Sequence, residues 1–221
     1  MKPEILQRHE KVLGSIRADS FVWLWINTAV FGLFMYTLFA FYVYFQTSKL
    51  EIFQINQVAA NTGTALISFS FLLTSLSFFF DRFDKLIIYR KHLGIIGFAY
   101  VVAHIVFILV LMPWMFTLGD LINTRLVGFT FGLLATLIFA VMTAISNRYM
   151  VTTIGGHIWR GFLRYGGYSA LIFSLIHTWQ SSSRYWILTK MWPISLIVFV
   201  LGVMTILMRL AMAGVMRIKN H

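Results

Sequence analysis

Six stretches of the chain are almost wholly apolar, with polar segments between them: residues 21–45, 59–80, 93–116, 126–146, 165–183 and 191–208. A helix needs about 20 mostly apolar residues, at about 1.5 Å each, to cross about 30 Å of hydrocarbon. Every run reaches or approaches that length. The pattern predicts an all-α integral membrane protein, a six-transmembrane-helix bundle, with no room between runs for a soluble catalytic domain. Residues 1–20 (MKPEILQRHEKVLGSIRADS) are mixed in charge and read as a short cytoplasmic helix at the membrane surface. Residues 21–208 then form the transmembrane domain and 209–221 a basic cytoplasmic tail.

Local signals refine the boundaries. The first run is too long for the apolar core of a signal peptide and has no small-residue cleavage pattern close behind it, so it reads as a retained helix. Met112-Pro113-Trp114 ends the third span. Gly155-Gly156 and Gly166-Gly167 weaken helix at two points near the start of the fifth. Trp179, Tyr185, Trp186 and Trp192 cluster around the loop between spans five and six, as an interfacial aromatic belt does. No internal repeat or low-complexity tract is present.

Composition agrees with the membrane reading: 59% of the 221 residues are hydrophobic and 11% charged, too apolar for an ordinary soluble domain. The net charge of +11 would suit nucleic acid, but no nucleic-acid-binding module fits the segments that carry it. The placement of the basic residues explains the charge instead. Lys and Arg number 4 before span one, 4 between spans two and three, 3 between four and five, and 3 after six. The alternate loops hold 1, 1 and 2. Positive charge is retained on the cytoplasmic side during insertion, which places both termini inside. With no cysteine, disulfides, thiolate-ligated metals and c-type haem attachment are excluded.

Within the six runs, only His104 and His177 have side chains that commonly ionise near neutral pH or bind metals strongly. Ionisable groups at membrane depth are expensive and mark functional sites; the competing reading is that each histidine hydrogen-bonds a neighbouring helix as packing glue. Two at matching depth favour function. His104 lies 11 residues beyond Leu93 and His177 12 beyond Tyr165, both roughly 16–18 Å in from the cytoplasmic side, at the midplane or slightly past it. Paired imidazoles on parallel helices suit the two axial positions of a haem iron, whereas zinc would want a third ligand. Gly97 and Ala170, seven residues before the ligands, would leave space beside a macrocycle. Phe107, Phe173 and Tyr100 would line its walls.

Arg90-Lys91-His92-Leu93-Gly94 followed by Ala103-His104 resembles the R-[RK]-x-L-G…H pattern of ferric-reductase-like transmembrane domains. That superfamily includes STEAP-type metalloreductases, NADPH oxidases and the haem subunit of the bacterial periplasmic methionine sulfoxide reductase. Thr62-Gly63, Ser146-Asn147-Arg148, Ile154-Gly155, Trp159, Tyr168 and His177 are similar to further landmarks, in order, across roughly residues 60–180. The resemblance implies one b-type haem held by His104 and His177. Two-haem members carry a second histidine about one leaflet before each ligand; here those positions hold Arg90 and Arg164, and His92 and His157 lie at unequal depths. In STEAP-type proteins a flavin occupies the cytoplasmic leaflet, and the arginine that contacts it maps onto Arg90. Arg90 and Lys91 also suit ordinary positive-inside anchoring.

The resulting expectation is transmembrane electron transfer by an oxidoreductase, or by the membrane electron-transfer subunit of one. Electrons would pass from a cytoplasmic flavin (FAD or FMN), flavoprotein or quinol, through one haem b, to an outer acceptor: ferric iron, oxygen, a quinone or a partner reductase. Arg90 and Arg164, with Lys91, Arg148 and Arg160, would ring the cytoplasmic mouth, suited to a flavin phosphate; Tyr165 and Tyr168 add aromatic surface. A small chain without its own dehydrogenase suggests a bacterial or archaeal inner membrane. The alternative is a cofactor-free structural or transport-related membrane subunit.

Overall fold

The computed structural model describes residues 18–123, 125–186 and 193–218; most of the segment expected to lie at the membrane surface falls outside them. The described residues are mostly helical, with no strand among them. The order is α1 (Ala18–Thr47), α2 (Ile52–Phe79), a 3-10 segment (Asp81–Tyr89), α3 (Arg90–Val106) continuing as a π-helical turn (Phe107–Leu111), α4 (Leu118–Asn123), α5 (Leu126–Ile145), α6 (Arg148–Ile154), α7 (Gly156–Trp186) and α8 (Ile194–Ile218).

Among the described residues, five helical segments are long and apolar enough to cross a membrane: Phe21–Thr47, Ile52–Phe79, Asp81–Leu111, Leu126–Ile145 and Ile194–Ile218. The expected fifth span lies inside α7, a 31-residue helix that is not among these five. Its arginines, its glycines and the polar run Thr178-Trp179-Gln180-Ser181 dilute its hydropathy. α8 passes the expected boundary at 208 and carries Arg209 within the helix.

Helix ends follow the local chemistry. The π-helical turn stops at Met112, before Pro113, which cannot continue a helix. Thr117 Oγ1 accepts from the Asp120 backbone N–H and donates to its carboxylate at the start of α4. Asn147 caps α6 by accepting from the Met150 N–H at 2.8 Å. Gly155, at φ 85°, breaks α6 from α7 in a conformation that L side chains rarely adopt. The second glycine pair makes no break; α7 runs unbroken through Gly166 and Gly167. Trp159 Nε1 donates to the Ile145 carbonyl at 2.9 Å, satisfying the open end of α5.

α2 is the hub, packed against α3, α8 and α1, while α5 pairs with α7, which also touches α8. α2 and α3 meet backbone to backbone: a Cβ added to Gly63 would fall 2.8 Å from the Gly97 carbonyl oxygen, and one on Gly97 2.9 Å from that of Gly63. Small residues permit such an approach where lipid supplies no hydrophobic drive between helices. Gly97 is therefore filled by α2 and leaves no room for a macrocycle. Ala170 is likewise closed into a core with Ile67, Phe71, Ala135, Phe139 and Leu171.

Candidate haem-binding site

His104 on α3 and His177 on α7 are each half-buried and lie within electrostatic range of one another. Each is held from a different neighbouring helix. His104 Nδ1 is 2.8 Å from Oδ1 of Asn56 on α2; His177 Nδ1 is 2.8 Å from the carbonyl oxygen of Gly128 on α5. A carbonyl can only accept, so His177 carries its proton on Nδ1, and the same holds for His104 against the amide oxygen. In the neutral rings both Nε2 atoms then keep a free lone pair.

The partners also fix where the pair sits. Asn56 is in the first turns of α2 and Gly128 in the first turn of α5, so both imidazoles lie near the end of the bundle at which those two helices begin. That is further from the middle than the depth count along α3 and α7 suggests. Gly132, one turn after Gly128, makes room for the ring: a Cβ there would stand 2.7 Å from His177 Nδ1. Tyr100 does not line this space, because it stacks on Tyr36 of α1 with centroids 5.7 Å apart. Phe173 packs against Phe131 of α5 at 5.4 Å.

Taken singly, each histidine has the local setting of a metal-ligating imidazole. Two neutral imidazoles are oriented by Nδ1–H bonds to oxygen acceptors, the arrangement that fixes tautomer and ring angle in metal-ligating histidines. Among the described residues no group of three or more His, Cys, Asp or Glu comes together. The other described histidines stand apart. His92 is buried against the edges of Trp25 and Phe21 of α1, at centroid distances of 4.6 and 5.8 Å, and His157 is exposed at the start of α7.

At the other end of α3 and α7 the chain gathers arginines. The Arg90 guanidinium lies over the Phe71 ring at 5.8 Å. Phe71 packs on Tyr168 at 5.0 Å, and the far side of this pair is capped by Arg209, 5.5 Å over Tyr168. Tyr168, Arg209 and Arg164, in that order, are the titratable groups that act on Arg90, and none is a carboxylate. Ser70 donates to the Arg90 carbonyl at 2.7 Å and pins this end of α3 to α2. Arg90 and Arg164 thus share one electrostatic neighbourhood, and Arg209 joins them. Arg160 instead folds back toward Gly156 of its own helix, Lys91 and Tyr165 are exposed, and the side chain of Arg148 lies outside the described residues.

No family model matches the chain, and no curated protein matches it in sequence.

Proposed function

We propose that the chain is an integral membrane protein of six spans, with α7 the fifth, that carries electrons across the bilayer by way of one b-type haem ligated by His104 and His177. The observation that carries this reading is the pair of Nδ1-anchored imidazoles, each leaving Nε2 free as a ligand. A bound haem supplies a one-electron carrier. The protein's part is to hold two basic nitrogens at fixed angles in an apolar setting and to place a cationic entry site at the opposite end of the same helices. Arg90 lies 14 residues before His104 and Arg164 13 before His177, about 20 Å along each helix.

Both termini and the arginine end face the cytoplasm, in keeping with the distribution of basic residues. A flavin nucleotide (FAD or FMN) or a flavoprotein docks at Arg90 and Arg164, whose guanidinium groups suit a phosphate, and the acceptor approaches from the histidine end. The resemblance to ferric-reductase-like domains supports this direction. The test is a visible spectrum of the detergent-purified protein from haem-replete cells. A low-spin, six-coordinate haem b near one per chain is expected, lost in His104→Ala and His177→Ala but kept in His92→Ala and His157→Ala. A colourless protein, or two haems per chain, contradicts the reading.

A second reading has a specific observation behind it. Each histidine does bond a neighbouring helix, as a cofactor-free subunit using histidine as glue would require. The same spectrum separates the two.

A further inference from the structure

α2 carries two rows of polar or small residues at seven-residue spacing, which drifts only about 20° per step around a helix. The row Asn56, Gly63, Ser70 and Ser77 serves the packing of α2. Asn56 holds His104, Gly63 seats Gly97, Ser70 donates to the Arg90 carbonyl, and Ser77 is engaged as well. Here the polar groups pair, and they act as glue between helices.

The second row, Gln54, Asn61, Ser68 and Ser75, behaves differently. It reaches toward α8 and α7: Thr205 of α8 donates to the Ser68 carbonyl at 3.4 Å, and Ser75 lies beside the hydroxyl of Tyr168, the ring capped by Arg209. Yet Gln54 Oε1, Ser68 Oγ and Ser75 Oγ are buried with no hydrogen-bond partner, as are the adjacent Thr62 and Thr74 hydroxyls. Ser68 and Ser75 are both 0% exposed. Several of the chain's helical hydroxyls turn back onto the carbonyl four residues earlier, as Thr28, Thr64, Thr136, Thr178 and Thr205 do. Ser68 and Ser75 do not; the Tyr168 hydroxyl faces Ser75, and nothing from the protein meets Ser68. Buried polar groups in native proteins have partners, and where the protein supplies none an ordered water does.

We propose that this row is a hydrated seam, in which water molecules bound between α2, α7 and α8 satisfy Gln54, Ser68 and Ser75. From Gln54 to Ser75 the row spans 21 residues, about 32 Å of helix, close to the thickness of the hydrocarbon core. The proposal rests on α2 and its contacts with α7 and α8, and holds with or without a haem at His104.

The chain has no cysteine, so single thiols can be read without background. Ser68→Cys and Ser75→Cys, near-isosteric changes, are compared with Leu66→Cys, which is equally buried but lies in an apolar cluster with Leu73 and Leu93. Silver ion, a probe close to water in size, is added to the folded protein, and unblocked thiol is counted with a fluorescent maleimide after denaturation. Blocking about tenfold faster or more at 68 and 75 is expected, because a dry buried site is reached only through local opening. Rates equal to that of Leu66→Cys overturn the seam. Where a cysteine variant does not fold, Ser68→Ala and Ser75→Ala decide through the thermal midpoint. Removing a water-bonded hydroxyl lowers it, whereas an unchanged or raised midpoint overturns the proposal.

Discussion

Asn56 Oδ1 lies 2.8 Å from His104 Nδ1, on two helices that are brought together by Gly63 and Gly97. The close crossing and the hydrogen bond belong to one arrangement. The glycines let α2 and α3 approach within reach of a short amide side chain, and Asn56, only 3% exposed, spends its acceptor on the ring. A partner of this kind typically changes metal affinity about 10–100-fold when removed. Asn56→Ala is therefore expected to weaken haem retention by that order while leaving both histidines in place. Asn56→Asp, which keeps an oxygen acceptor, should retain haem. Haem titration of the apoproteins checks this; equal affinity in Asn56→Ala and wild type would rule out the orienting role.

Gly132 makes the matching prediction on the other ligand. A Cβ at this position would stand 2.7 Å from His177 Nδ1, closer than side chains tolerate, so the imidazole must move or α5 must withdraw from α7. Gly132→Ala should cost about 1–3 kcal/mol of stability, as overpacking does, and should lower haem occupancy although His177 remains. Gly161→Ala is the control, since nothing lies within 4 Å of a Cβ there. The haem-to-protein ratio of the two purified variants separates a specific clash from a general glycine effect.

How much of this was legible in the sequence depends on what kind of group each residue uses. His104 and His177 stand out because an imidazole within an apolar run is a rare and costly event. The residues that orient them send no comparable signal. Asn56 is one of many polar side chains on α2, and Gly128 contributes only a backbone carbonyl, which every residue has. Arg209 was hidden for another reason. A cation after an apolar run marks the end of a span in hydropathy, but α8 continues to Ile218, and the guanidinium covers the Tyr168 ring instead of leaving for solvent. Tyr100 and Gly97 met other neighbours because helical spacing gives a face without saying which helix fills it: Tyr100 met α1, and Gly97 met α2.

The fifth span is testable through the sidedness of the loops around α7. Its hydropathy is weaker than that of the other spans, yet its 31 residues amount to about 46 Å of helix, ample for a bilayer. Reporter fusions after Lys49, Leu86, Leu118, Tyr149 and Ser183 should alternate out, in, out, in, out. The informative pair is Tyr149 and Ser183: the same side for both would mean that α7 does not cross, and His177 would then have no transmembrane partner for His104.

The arginine end yields the last expectation. Arg90, Phe71, Tyr168 and Arg209 form a stack in which each cation caps one ring, and Arg164 adds a third positive charge within range. Three like charges held together repel one another, so an anion that binds among them relieves that repulsion as well as forming charge-assisted bonds. A flavin phosphate has the right charge and geometry. Arg90→Ala, Arg164→Ala and Arg209→Ala should each slow haem reduction by reduced flavin in inside-out vesicles while leaving the haem spectrum unchanged. Arg→Lys at these positions should recover only part of the rate, because an ammonium keeps the charge but loses the paired donors and the flat face that lies on the ring. If all three alanine variants reduce at the wild-type rate, or if quinol reduces the haem and flavin does not, electrons enter elsewhere, and the ligand assignment at His104 and His177 stands or falls on the spectrum alone.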